Sequence, residues 1–326
     1  MQIGSINFCD KPVFLAPMED VTDPSFRYIC KHFGADMVYT EFVSSDGLIR
    51  DAQKTLKKLE IEESERPVGI QLYGHLIDAM VQSAVIVEEA RPDVIDINFG
   101  CPVRKIATRG AGAGMLNNVP LMVEMTKAIV DAVKIPVTVK TRLGWDEETK
   151  IIVDVAERLQ DVGIAAITIH GRTRSQFYKG EADWTLIGAV KNNPRMHIPV
   201  IGNGDIDSGE KALEMFNRYG VDAIMVGRAT FGRPWIFAEI KHFLQTGEPK
   251  PPLTITQKVE LAKIHLAKSI EYKGIPVGIF EMRRHLSNYF KALPDFKQTR
   301  MKLVTSLDVD ELIEVLEGIV VRYESE

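Results

Sequence analysis

What this sequence lacks narrows it first. Three cysteines in 326 residues, Cys9, Cys30 and Cys101, are far apart and odd in number, which argues against a disulfide framework and against a zinc site. No metal is expected. No apolar run approaches the ~18 residues of a membrane span, and Met1–Ser5 carries no basic flank or apolar core of a leader. A cytoplasmic protein without membrane contact is the expectation, and nothing in the composition calls for an obligate protein partner. There is no excess of basic charge either: 40 Lys and Arg against 45 Asp and Glu give a net charge of −5. A nucleic acid would have to be met by a local basic face rather than by the whole molecule. Finally, no glycine fingerprint for a dinucleotide follows the first apolar run, where Ala16-Pro17-Met18 stand instead.

What is present is an alternation. Short β-rich runs recur at Val13–Ala16, Met37–Thr40, Val68–Leu72, Val94–Asn98, Val137–Lys140, Ala166–His170, Val200–Gly202 and Ala223–Val226, with helical patterns between them. Several lack polar alternation, as buried parallel strands do. Eight such strands predict an α/β fold of the (β/α)8 TIM-barrel kind. The run Gly247-Glu248-Pro249-Lys250-Pro251-Pro252 is unacceptable inside a helix or strand. It divides a barrel domain, 1–246, from a C-terminal domain, 247–326. In the latter, Thr254–Tyr272, Val277–Leu293, Phe296–Thr305 and Val309–Tyr323 predict a small all-α helical bundle.

Chemistry gathers at the strand ends. The stretch Ile95-Asp96-Ile97-Asn98-Phe99-Gly100-Cys101-Pro102, followed by Gly110-Ala111-Gly112-Ala113-Gly114, sets a thiol at the exit of a buried strand, where barrel enzymes place their chemistry. A lone cysteine is ordinarily a packing residue; the turn-forming Gly100 and Pro102 around this one argue otherwise. Gln71, Lys140, Arg142, His170 and Arg172 finish other strands, and Asn203-Gly204-Asp205 with Gly227-Arg228 follow the last two. Those last two loops are the usual phosphate site of such barrels. Taken singly each residue is weak evidence, since a Gly-Asn-Gly-Asp turn is commonly only a turn. Their convergence on one rim is the specific signal.

Together the motifs resemble the dihydrouridine synthase family, with the bacterial B-type members most similar. The resemblance rests on Leu15–Met18, Val21–Asp23 and Phe26-Arg27, Thr40–Ser44, Asp96–Gly114, Lys140–Gly144, His170–Thr173 and Gly202–Ile206, and Arg283-Arg284-His285 fits its C-terminal domain. Glu19-Asp20 replaces the small Ala-Gly pair usual after Pro-Met, and Phe42 replaces a common Met. The resemblance implies reduction of selected tRNA uridines with FMN, reduced in turn by NADPH or NADH. It implies that Ala16, Pro17 and Met18 line the flavin ring, that Gln71 bonds its pyrimidine edge, and that Lys140 sits beside N1 and O2. Asn203, Gly204, Asp205, Gly227 and Arg228 would hold the phosphate, with His170 nearby. Cys101 would be the proton donor to uracil C5, and Asn98 would hold the uracil edge.

For the tRNA body, the segment Phe280–Lys302 carries six basic residues against Glu281 and Asp295, whereas the tail from Leu303 carries seven acids against Arg322. Arg283, Arg284 and Lys291, with Arg172 at the barrel rim, are therefore the expected RNA contacts. A flavin barrel like dihydroorotate dehydrogenase, acting on a free pyrimidine, is the alternative; it leaves the basic helical appendage without a task. A catalytically inactive RNA-binding module is a third reading, against which Cys101 and Lys140 speak.

Overall fold

Apolar, mostly β-branched runs such as Val94-Ile95 and Ala166-Ile167 form the inner wall of a closed ring of parallel strands. The computed structural model describes residues 1–50 and 52–324. The strands are β1 (Val13–Leu15), β2 (Val38–Tyr39), β3 (Val68–Tyr73), β4 (Val94–Phe99), β5 (Val137–Arg142), β6 (Ala166–His170), β7 (Val200–Asn203) and β8 (Ala223–Val226). Each pairs in parallel with the next from β2 to β8, and β8 pairs with β1. A single bridge from Phe14 to Met37 completes the circle between β1 and β2. The expected barrel is present.

Helices α1 (Pro24–His32), α2 (Ile77–Glu89), α3 (Val119–Ala132), α4 (Ile152–Asp161), α5 (Thr185–Lys191), α6 (Gly209–Tyr219) and α7 (Ile236–Thr246) surround it. Their starts follow local chemistry: Asp23 accepts from the Phe26 N–H before a first-turn proline, and Ser208 accepts from Lys211 N–H. After β2 the chain makes only the short helices Ser45–Leu48 and Gln53–Leu56 with two single turns. Gly47, which lies against Thr55, and the acidic run Glu60–Glu65 leave no apolar stripe for a full helix there. Two small elements were not evident in the sequence, an N-terminal hairpin of Gln2–Ile3 with Ile6–Asn7 and a short strand Val43–Ser44 beside β3.

Beyond α7 the chain runs from Gly247 to Thr254, whose capping box with Gln257 starts α8 (Ile255–Lys273). Three more helices follow, α9 (Val277–Tyr289), α10 (Lys297–Thr305) and α11 (Val309–Tyr323). The expected helix over 277–293 stops at Tyr289, and Lys291 and Leu293 N–H groups bond three residues back in turns ahead of Pro294. The bundle has its own apolar core, into which Ile29 of α1 and Trp235 are also packed. Among the described residues no helix is long and apolar enough to cross a membrane.

Strand register decides which side chains meet. Asn98 lies opposite Lys140, Arg142 opposite His170, and His170 opposite Asn203. One layer down, Gln71, Asp96 and Thr138 form a continuous row across β3, β4 and β5. The first set lies at the carboxyl ends of the strands, and the row of Gln71, Asp96 and Thr138 lies beneath it.

Candidate active site

At that end the barrel opens into a cavity of about 620 Å³, within the ~300–1,000 Å³ typical of cofactor pockets. Its lining includes Ala16, Pro17, Met18, Gln71, Asn98, Cys101, Lys140, His170, Asn203, Gly204, Asp205, Gly227 and Arg228. The structure thus brings the residues expected to hold a flavin and the expected proton donor to one place.

The Cys101 turn is built by its neighbours. Asn98 Oδ1 accepts from the N–H of Gly100 (2.9 Å) and of Cys101 (2.8 Å), so the residue that ends β4 also folds the turn after it. Ala113 N–H donates to the Cys101 carbonyl at 3.0 Å. Gly112, at φ +55°, takes a backbone conformation that other residues rarely adopt, and a Cβ there would lie a tight 3.0 Å from Cys101. The Arg142 guanidinium donates to the carbonyls of Gly100, Thr173 and Phe177 at 2.7–2.9 Å, tying this turn to the loop after β6. Cys101 itself is 8% exposed, and burial raises its thiol above the ordinary cysteine value. At neutral pH the group holds its proton.

Around the thiol, positive charge is in surplus. The Lys140 ammonium makes no hydrogen bond or ion pair among the described residues, and burial, with Arg142 close by, lowers it to about 8. His170 is held well below its ordinary value by burial and then by Arg142, Lys140, Arg172 and Arg228, so its imidazole is neutral. The main answering carboxylate at the rim is Asp205. Arg172 donates to both its oxygens at 2.9 and 2.6 Å, Ala182 N–H to one at 2.7 Å and Arg228 to the other at 3.0 Å. Burial opposes ionisation there, but these bonds and charges carry the carboxyl below its usual range. Gly204, at φ +129°, turns the chain beside it, and its carbonyl accepts from the Trp184 indole. An unpartnered ammonium above an apolar floor, with a guanidinium and glycine turns alongside, fits an anionic, ring-bearing cofactor such as FMN.

Beneath the cavity lies a chain of hydrogen bonds. Thr138 Oγ1 donates to Asp96 Oδ1 (2.6 Å), Gln71 Nε2 to Asp96 Oδ2 (2.6 Å), and Asn98 Nδ2 to Gln71 Oε1 (2.8 Å). Asp96 is 1% exposed, and burial raises its carboxyl to about 6 against the pull of these bonds and of Lys140.

The RNA-contact expectations fare differently. Arg172 is 1% exposed and spent on Asp205 and on the Lys179 and Gly180 carbonyls, so it orients the rim rather than offering a free cation. Its location after β6 was legible, but the acid that draws it inward lies 33 residues on. Arg283 is half-buried over the Phe280 ring and donates to Thr305 O. Arg284 is exposed, lines the cavity and donates to the Asp20 carbonyl at 3.0 Å, while Lys291 is exposed on the bundle. Residues outside the expected set also stand here. Tyr178, 48% exposed, lies under the guanidinium groups of Arg142 and Arg228. At the rim Glu19, Asp20 and Glu41 bring three carboxylates together, and Lys58 pairs with Glu19 at 2.5 Å and Glu41 at 3.8 Å.

Known proteins agree with this arrangement. A family model described as dihydrouridine synthase (Dus) matches residues 14–322. Similar chains include tRNA-dihydrouridine synthase B of Pseudomonas putida, 40% identical over 292 residues (89% of this chain, 86% of the relative). The tRNA-dihydrouridine synthase B of Shewanella oneidensis is 39% identical over 289 residues (89% of each). A probable tRNA-dihydrouridine synthase of Rickettsia conorii is 38% identical over 301 residues (92% and 90%). Among solved structures, histamine dehydrogenase from Rhizobium sp. 4-9 superposes with a TM-score of 0.57 at 14% identity, over 82% of this chain and 50% of that one. A morphinone reductase variant in complex with tetrahydroNAD gives 0.54 at 13% identity, over 78% and 91%. The last two speak to the fold alone. With the family match spanning nearly the whole chain and relatives near 40% identity, the chain belongs to the dihydrouridine synthase family.

Proposed function

We propose that this chain reduces the C5=C6 bond of uridines in tRNA, with FMN held in the barrel cavity and NADPH or NADH as reductant. The observation that carries the reading is the pairing of a protonated, buried thiol, Cys101, with an unpartnered ammonium, Lys140, in one cavity of a dihydrouridine synthase family member. When bound, FMN supplies the hydride that adds to uracil C6. Ala16, Pro17 and Met18 would floor the ring, Lys140 would meet its N1/O2 edge, and Gln71 its pyrimidine edge. Asn203, Gly204, Asp205, Gly227 and Arg228 would take the phosphate, beside neutral His170.

Addition at C6 leaves enolate character conjugated to C4=O, which must gain a proton at C5. Cys101 gives that proton, for a thiol raised by burial is a general acid rather than a nucleophile at neutral pH. Asn98 keeps one N–H of its amide free of the Gln71 bond and so has a donor for a uracil carbonyl. The target base must leave its stack to reach the cavity. Residues 1–246 carry the chemistry, and 247–326 help hold the RNA through Arg284 and Lys291, with Arg283 behind them. The free-pyrimidine alternative has no use for a basic bundle at the cavity rim.

Acid extraction of the purified protein is expected to release FMN. With NADPH the protein is expected to form dihydrouridine in tRNA from cells lacking it. Recovery of FAD, or a flavin-loaded protein that leaves such tRNA unchanged, would overturn the reading.

A further inference from the structure

We infer that Asp96 is a positioning residue, whose buried carboxylate sets the direction of the hydrogen-bond relay through Gln71 and Asn98 to the Cys101 turn. The inference rests on Cys101 being the proton donor. A carboxylate under the floor of a barrel is a costly choice where a threonine or amide of similar size would fit. Asp96 reaches no ligand space, since it is 1% exposed and absent from the cavity lining. Its two oxygens are taken by Thr138 and Gln71, each at 2.6 Å.

The special property of a carboxylate is that, once ionised, it only accepts hydrogen bonds. Gln71 must therefore turn its NH2 toward Asp96 and its carbonyl toward Asn98. Asn98 must then present its NH2 to Gln71 at 2.8 Å, which leaves its carbonyl for the N–H groups of Gly100 and Cys101. Those backbone donors fix the far end of the relay as Asp96 fixes the near end. Neither amide has a second orientation that leaves every bond made. Which groups of Gln71 and Asn98 remain free for a ring in the cavity, and where the Cys101 turn sits, both follow from one buried acceptor.

An amide at position 96 removes that constraint. In Asp96→Asn, an Asn that keeps its oxygen on Gln71 must turn its NH2 to the Thr138 hydroxyl, which then accepts rather than donates, and one that aims its NH2 at Gln71 requires Gln71 to reverse, so that the Gln71 NH2 faces the NH2 of Asn98. Donor meets donor, and Asn98 cannot yield without abandoning the turn. Gln71→Glu alone sets a carboxylate against the Asp96 carboxylate. The double exchange, Asp96→Asn with Gln71→Glu, restores the sense of the relay: Asn donates to Glu, and Glu accepts from Asn98. Packing volume is nearly the same in all three variants, so a filler role at position 96 predicts no such pattern.

The test uses the full-length flavin-loaded protein. Two readouts are taken in each variant: single-turnover uridine reduction in tRNA, and alkylation of Cys101 by iodoacetamide as a function of pH, followed by mass spectrometry of its peptide. Each single variant is expected to slow uridine reduction by about tenfold or more, as sub-ångström displacement of a reacting group does, and to shift the alkylation profile. The double exchange is expected to bring the alkylation profile back toward the parent, whereas uridine reduction stays slow, because Gln71→Glu also changes the group placed against the flavin edge. A near-parental Asp96→Asn, or a double variant whose alkylation profile is no nearer the parent than those of the singles, overturns the inference. If a single variant fails to fold, the double still decides, since it must fold and its Cys101 must alkylate as the parent's does. Alkylation needs no tRNA, so a parent protein that forms no dihydrouridine counts against the proposed function and leaves the relay to be judged by Cys101.

Discussion

Two buried clusters in this molecule use the same residue types to opposite ends. In the cavity, His170 sits among Arg142, Lys140, Arg172 and Arg228 with Asp205 as the carboxylate at the rim, and Lys140 is left without a partner. Where the barrel meets the bundle, His265 and His285 lie 4.6 Å apart between ring centroids, against Phe26 of α1. There, His265 bonds the Tyr289 hydroxyl at 2.8 Å, and the Asp23 carboxylate meets the Lys273 ammonium at 2.7 Å. Burial depresses all three histidines. The difference lies in what answers the charge. At the interface the buried histidines lie beside a complete Asp23–Lys273 ion pair, which is how a contact is held together. In the cavity the Lys140 ammonium has no carboxylate partner among the described residues and lines the open space, which is how an anion is received.

The sharpest way to separate the two is to remove the group on which only one depends. Cys101→Ala is expected to slow uridine reduction by ~10²-fold or more, the range for loss of a positioned general acid. Flavin content, reduction by NADPH and thermal stability should stay close to the parent, because the thiol makes no bond to the barrel–bundle contact. Stopped-flow measurement of the two half-reactions checks this. Equal damage to both would return Cys101 to a packing role.

Acid should weaken the interface through His265, as it should the cavity wall through His170, which burial also depresses. Burial holds His265 down to about 4, below the ~6.5 of an unfolded histidine. The unfolded chain therefore binds a proton first as pH falls, and stability is full above ~6.5 and declines until about 4. For a shift of this size the loss is about 3 kcal/mol. Asp23 continues the decline. Burial opposes its ionisation, but the Lys273 charge and hydrogen bond lower it to about 2, so its contribution is lost between ~3.9 and about 2. Denaturant titrations across this range should show the upper limb flatten in His265→Gln. An unchanged limb would place the acid sensitivity elsewhere.

Local signals and distant pairings are unequally legible in the sequence. Barrel strands announce themselves as uninterrupted runs such as Ala166-Ile167-Thr168-Ile169, and the glycine turns mark the loops after β7 and β8, because both signals are local. The helices of the bundle, started by Thr254 and Asp308 caps, were equally plain. What the sequence could not display is pairing across distance. Arg172 looks like a free rim cation until Asp205 is folded against it, and Asp96 looks like one polar residue in an apolar strand until register puts Gln71 and Thr138 on either side. Arg284 reaches the cavity only because the bundle docks on α1, a contact between residues 264 positions apart at Asp20.

The smallest expected effect lies on the basic face, where the comparison is internal to one helix and the turn after it. Reversal of Arg283, Arg284 and Lys291 to Glu should weaken tRNA binding and flatten its salt dependence, each lost phosphate contact removing about 0.9 from the log–log slope on duplex and about 0.7 on single strands. The structure divides the three unequally. Arg283 is half-buried, its guanidinium over Phe280 and hydrogen-bonded to Thr305 O, so it stiffens the junction of α9 and α10 rather than facing solvent. Arg284 and Lys291 are exposed, and Arg284 also stands at the cavity mouth. The Arg284→Glu, Lys291→Glu double variant should therefore change the slope as much as the triple does, by roughly 1.4 to 1.8. Arg283→Ala alone should leave the slope unaltered and lower thermal stability slightly. Filter-binding titrations at several salt concentrations measure all three. A slope that moves with Arg283, or not at all in the double variant, would shift recognition to the barrel-rim loops and leave the bundle only to brace α1.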